Sequence, residues 1–165
     1  VDNCKFNNDT NQWSIFTAGD STISINIAQC NSDPYLSFIG ETGTNNGAGV
    51  INDSGVILKN PGTNTKISFW IKGSIENRGF IVRVKNSAST FDYFNFDGIN
   101  TNLFQQGRTN TYNYGSGFST AGHWIKNELT NFKNGIKAVT NGGLEIKTGS
   151  SASNIDLKFD EFSLE

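Results

Sequence analysis

A single histidine, His123, and two cysteines, Cys4 and Cys30, are the only imidazole and thiol groups in this 165-residue chain, and none stands in a CxxC or Cys/His metal spacing. A zinc site has little to be built from, and so does a Ser/His/Asp triad, since no GxSxG accompanies the lone histidine. Phosphate-cradling GxGxxG and P-loop patterns are absent too. Charge is scarce: 17% of residues are charged, the net charge is -2, and no Lys/Arg cluster could neutralise a run of phosphates, which argues against nucleic acid as a partner. No apolar run approaches the roughly 20 residues of a membrane helix, and the first residues lack a signal-peptide core. An exported protein would be met here in its mature form or as an excised domain. No stretch keeps the i, i+3, i+4, i+7 apolar spacing for three turns, and 18 glycines would interrupt most helices.

What remains is short runs of period two separated by turn residues. Contact with water falls mainly to Asn, Ser, Thr and Gly, a balance common in secreted all-β proteins. "TISINIAQC" puts Ile23, Ile25 and Ile27 on one face and Ser24 and Asn26 on the other. "KISFWIKG" turns Ile67, Phe69 and Ile71 inward with Ser68 and Trp70 opposite, and "GFIVRVKN" turns Phe80, Val82 and Val84 inward with Arg83 and Lys85 outward. "NRG" between them reads as a hairpin turn, Asp97–Gly98 as another turn, and Pro34 and Pro61 as turn residues ahead of "YLSFIG" and "KISFWIKG"; "GVILK" is a further brief strand. One all-β domain over residues 1–165 is expected: a two-sheet antiparallel β-sandwich with little helix. A disulfide between Cys4 and Cys30 would stabilise it by about 3 kcal/mol on chain-entropy grounds, two unpaired thiols being the alternative.

The closing stretch "IDLKFDEFSLE" breaks the period. Leu157 and Phe159 share one parity, Phe162 and Leu164 the other, and a strand in strict alternation cannot bury both pairs. A β-bulge at Asp160–Glu161 would resolve the conflict, leaving one residue unpaired. A carboxylate at such a bulge suits calcium, which takes 6–8 oxygen ligands, usually from loops.

The segments "NCKFNN", "QWSIF", "KISFWIKG", "GHWIKNELTNF" and "IDLKFDEFSLE" together resemble carbohydrate-binding modules of the β-jelly-roll, galactose-binding-like type. Those modules show Phe-Glu near the start, Ser-Phe-Trp-Val-Lys in the middle, a Trp-opened strand late and Ile-Asp-Asp-Val-Ser-Leu at the end. The resemblance implies jelly-roll topology, a glycan partner, a secreted or cell-surface location, neighbouring domains in a larger protein, and a structural calcium ion. Carried over, that ion would be held by Asp160; the early acidic ligand of the family falls on Asn7, a departure that Asp2, Asn8, Asp9 or Asp33 would have to offset. The resemblance also puts Trp13 and Trp124 in core strands.

Sugars stack their apolar C–H faces on aromatic rings and hydrogen-bond their hydroxyls to planar polar groups. Residues 91–118 mix both kinds most richly. Tyr93, Phe104, Tyr112, Tyr114 and Phe118 supply rings, and Asn95, Gln105, Gln106, Arg108 and Asn113 supply polar reach. The bland alternative is that the tyrosines only cover a sheet edge. Trp70 opposes the parity of its apolar neighbours, so it faces either a second layer or a binding surface. Catalysis finds no support: paired carboxylates for glycoside hydrolysis must flank a bond about 5–9 Å apart, and Asp160 and Glu161, as strand neighbours, are expected on opposite faces. Nor is there the Glu-x-Asp-x-x-Glu or Glu-x-Asp-x-Glu strand of sandwich hydrolases. The expectation is therefore a non-catalytic glycan-binding module. The alternatives are a structural or adhesive sandwich domain without a sugar site, and a laminin-G-like or concanavalin-like fold.

Overall fold

In a computed structural model, residues 13–17, 21–30, 33–44, 47–52, 66–85, 91–99, 104–107, 114–130 and 144–164 are described. They contain β1 (Trp13–Thr17), β2 (Thr22–Cys30), β3 (Asp33–Glu41), β4 (Ala48–Asn52), β5 (Ile67–Glu76), β6 (Phe80–Lys85), β7 (Phe91–Phe96), β8 (Gly98–Ile99), β9 (Phe104–Gly107), β10 (Gly117–Ser119), β11 (Ile125–Leu129), β12 (Leu144–Thr148) and β13 (Ser153–Leu164), with no helix among the described residues. One sheet has six strands in the order β1-β4-β12-β6-β7-β9; the other has seven, β2-β3-β13-β5-β10-β8, with β11 also paired to β5. The expected two-sheet sandwich is present. Among the described residues its pairing is antiparallel apart from the short parallel contact of β8 with β10.

The core forms because alternate residues of facing strands point into one layer. Val50, Phe80, Val82, Phe94, Phe96, Leu144 and Ile146 from the six-stranded sheet meet Leu36, Phe38, Ile67, Phe69, Ile71, Leu157 and Phe159 from the other. Phenylalanine rings bind the layers. Phe80 and Phe96, directly opposite on β6 and β7, lie parallel at 4.6 Å, and the edges of Phe118 and Phe159 meet Phe80 at 4.9 and 5.9 Å. Such contacts add to area burial because ring edges and faces carry opposite partial charge.

Several expectations are corrected at the points where the chain changes sheet. β5 and β6 belong to different sheets, so residues 77–79 are a crossover and not a hairpin. Asn77 takes φ 64° there, and the Gly79 N–H donates to the Tyr114 carbonyl. Asp97–Gly98 is likewise a corner leading from β7 into β8 of the other sheet, its carboxylate accepting the N–H groups of Ser116 and Gly117 at 3.1 and 3.4 Å. Pro34 lies inside β3, opposite Gln29. Pro61 and "GVILK" fall outside the described residues, as do Cys4 and the side chain of Cys30.

The bulge expected near the C-terminus is found. Asp160 pairs with Trp70 and Ser163 with Ser68, so β13 uses three steps where β5 uses two, and Glu161 adopts φ 48°. Beyond it the backbone of Leu164 is opposite that of Ile67, a core residue. A second shift, between Ser153 and Asp156, carries Asn154 at φ 48°. Just across from it, Gly73 must be glycine: an added Cβ would stand 1.8 Å from the Asp156 carbonyl oxygen.

Phe80 is the centre of the ring cluster, and Phe80→Ala removes contacts to both sheets at once. Urea denaturation is expected to show a loss of about 3–5 kcal/mol; a loss under ~1 kcal/mol would contradict the packing described.

Candidate functional site

The seven-stranded sheet turns its apolar residues inward, so the opposite parity of β5, β11, β13 and β3 forms an outer face. Across it the register aligns Asp160 with Trp70, and Trp70 with Lys126. Tyr35 adjoins this row, next to Leu36, whose partner is Phe159. Trp124 precedes β11 and shares the parity of Lys126 and Glu128, opposite to that of buried Asn127 and Leu129. Trp70, Trp124, Asp160 and Glu161 line a groove of about 310 Å³. The rings of Tyr35 and Trp124 meet edge-on at 5.8 Å with 71° between their planes, although β13 and β5 separate their strands.

Two expectations are overturned here. Trp124 is a half-exposed wall of a surface groove and not a core residue. The alternation in "WIKNEL" carried that signal. Asp160 and Glu161, expected on opposite faces, line the same groove. The bulge is the cause, because the two residues of a bulged strand oppose one on its partner and escape strict alternation. The Asp160 carboxylate also accepts the Glu161 N–H at 2.8 Å.

The outer face of the six-stranded sheet is different. Its register sets Glu145 opposite Arg83, Arg83 opposite Tyr93, Ile81 opposite Asn95 and Lys147, and Asn95 opposite Gln105. Ile81 is 0% exposed although its parity is opposite to that of the core residues Phe80 and Val82, so this face is covered. Under the cover lies charge: the Arg83 Nε donates to a Glu145 carboxylate oxygen, both side chains being largely buried. Desolvation, and next the Arg83 charge, hold the Lys147 ammonium below its ordinary range, while Glu145 acts in the other direction.

Of the residues expected to bind ligand, Trp70 and Asn95 lie on different sheets. Trp70 faces the outside of one sheet; in the other, the backbone register sets Tyr93 opposite Arg83 and Asn95 opposite Ile81 and Gln105, with Asn95 buried. Phe104 and Gln106 sit on β9, of which only the backbone is described; Arg108, Tyr112 and Asn113 lie outside the described residues. Phe118 is core, 3% exposed, and supplies no ring to a ligand. Tyr114 is half-buried, its ring so close to Gly149 that a Cβ there would lie 2.7 Å from it. Among the described residues lining a further cleft of about 470 Å³ between β5, β8 and β10, Phe118 is the only aromatic one.

Of the residues expected to hold calcium, Asn7 and Asp2 lie outside the described residues, as do Asn8 and Asp9, and Asp33 opens β3 opposite Cys30. Among the described residues no three His, Cys, Asp or Glu side chains gather as a metal site. His123 is exposed, and its backbone N–H donates to the Thr120 carbonyl at 3.1 Å.

No family model and no curated protein sequence matches the chain. Solved structures do. A family 11 carbohydrate-binding module from Clostridium thermocellum, in complex with a β-1,3-1,4-mixed-linked tetrasaccharide, superposes with a TM-score of 0.52 at 11% identity, over 96% of this chain and 90% of that one. TmCBM61, in complex with β-1,4-galactotriose, gives 0.51 at 10% identity over 100% and 96%. A CBM4 module gives 0.50 at 14% identity over 100% and 98%. At these identities the likeness is one of fold, and it agrees with the jelly-roll sandwich that the sequence motifs resemble.

The covered charge layer generates a pH prediction. A lysine whose pKa is lowered on folding opposes folding while charged, so stability rises with pH between the lowered value and 10.5, the ordinary value in the unfolded chain. Lys147→Met removes that penalty. The variant is expected to be more stable than the parent at neutral pH, with the difference narrowing as pH climbs toward 10.5; parallel stability curves for the two proteins would show that Lys147 carries no such penalty.

Proposed function

We propose that this chain is a non-catalytic carbohydrate-binding module whose ligand lies in the groove of Trp70, Trp124, Asp160 and Glu161. The observation that carries this is the pairing of two half-exposed indoles with two carboxylates along one groove. Indole faces offer rigid apolar platforms with few rotamers to freeze, and carboxylates accept hydrogen bonds from hydroxyl groups. The fold neighbours that are carbohydrate-binding modules support the same conclusion. A secreted or cell-surface protein, with this domain beside others, is the setting such a module fits.

Hydrolysis is a poor match for the groove. The two carboxylates are chain neighbours on one bulge, whereas glycosidases place their acids on either side of the scissile bond. An adhesive or structural sandwich is the second reading, favoured by one observation: Trp124 already has a ring partner in Tyr35 and could serve packing alone.

Calcium is proposed separately, on the resemblance alone. Asp160 would hold it with oxygens of Asp2, Asn7 and Asp33, and the ion would supply a fixed positive charge tying strand ends together. Restoring calcium after chelation should then raise the melting temperature, and Asp160→Ala should abolish the rise. A melting curve that chelator leaves in place withdraws the ion and leaves Asp160 to the groove.

Binding itself is tested on a glycan array, followed by calorimetry on the ligand found. Trp70→Ala is expected to weaken that ligand by roughly tenfold or more, as for a buried aromatic anchor, with the melting temperature little changed. Tyr112→Ala should leave affinity as it was. Loss of binding in Tyr112→Ala with Trp70→Ala silent would move the site to residues 91–118, and an array without a single ligand would favour the adhesive domain.

A further inference from the structure

Accepting that the groove binds glycan, we propose that it selects sugars bearing a positive charge, amino sugars with a free ammonium group, over neutral ones. An ordinary strand would send Asp160 and Glu161 to opposite faces; the bulge sets both along a groove walled by Trp70 and Trp124. Two adjacent carboxylates beside two indoles match a cation in two ways at once. Carboxylates form shorter and stronger hydrogen bonds with an ammonium than with a neutral hydroxyl, and indole is the aromatic ring that best attracts a cation over its face.

Among the described residues, three lysines of the same face each stand close to a carboxylate outside the groove. The Lys158 ammonium stands 2.6 Å from Asp156, the Lys66 ammonium 3.1 Å from Glu128, and that of Lys126, although its backbone is opposite Trp70, 3.9 Å from Glu128. Lys72, two positions along β5 from Trp70, is set opposite Lys158 and adds a further positive charge beside the groove. The chain's net charge of -2 favours approach of a cationic ligand, and does not oppose it.

Calorimetric titration of the whole chain, in chelator so that calcium cannot occupy Asp160, tests the charge preference. The probes are a β-1,4-linked glucosamine hexamer held at a pH where its amines are protonated, its N-acetylated counterpart, and a glucose hexamer of the same linkage. The amino-sugar hexamer should bind about tenfold tighter than either neutral one. The preference should shrink as salt is raised and largely vanish in Glu161→Gln and in Asp160→Asn, whose melting curves serve as folding controls. Trp70→Ala should weaken the amino-sugar hexamer and any neutral hexamer that binds. Neutral hexamers binding as tightly as the charged one, or a preference that survives both carboxylate substitutions, would overturn the charge selectivity while leaving a glycan-binding groove in place. If no hexamer binds and a glycan array is also silent, the binding function itself falls, and charge selectivity with it.

Discussion

Side chains on a β-strand alternate, and β13 is twelve residues long with neighbours hydrogen-bonded on both flanks. Strict alternation over that length would bring either Leu157 and Phe159 or the residues beyond Asp160 out of the core. The extra residue at 160–161 removes the conflict at the cost of one non-glycine residue with positive φ, a strain on the order of 1–3 kcal/mol that the surrounding ladder must hold. Much of the rest depends on this adjustment. It keeps the central strand in register with β5 up to Leu164, and it turns two consecutive acids toward Trp70 and Trp124. Core formation and groove chemistry are thus set by one insertion.

Where strands change sheet, buried threonines take over backbone hydrogen bonds that the ladders can no longer provide. The Thr42 hydroxyl donates to the Gly149 carbonyl at 2.7 Å and accepts the Ala152 N–H at 2.8 Å; that of Thr148 donates to the Gly79 carbonyl at 2.7 Å. Each satisfies groups that would otherwise be lost to water in the interior, which is expensive. A β-branched side chain with one hydroxyl suits this role, since it packs like valine and still donates and accepts.

How much was legible in the sequence varies with the range of the interactions. The strands "TISINIAQC" and "KISFWIKG" and the bulge at Asp160–Glu161 show in residue parity alone, because each depends on which neighbours are apolar. The crossover at 77–79 does not: Asn77 and Gly79 suit a tight turn whether the next strand pairs back or joins the other sheet, and only long-range packing of Phe80 decides. Ile81 carried a missed signal, since three consecutive apolar residues, "FIV", are the pattern of a strand buried on both faces. Trp124 lies on the outward parity that the plain alternation of "WIKNEL" gives it, and not in the core that the family resemblance implies. The candidate binding set from residues 91–118 combines one parity of β7 with both parities of β9 and with later segments, so its members cannot all share one surface.

One edge of β5 is shared by two strands, with β11 along Ile67–Ile71 and β10 along Ser74–Glu76. Between them Thr120 bridges the gap, its N–H donating to the Gly73 carbonyl at 2.9 Å and its hydroxyl accepting the Gly73 N–H at 3.0 Å. With the seam closed there, the exposed corner at Ala121 and Gly122, both at positive φ, contributes no rung of its own and leads directly to Trp124. Evolution can therefore lengthen or rebuild that corner, shifting the indole and the ligand it admits, while the scaffold beneath stays as it is.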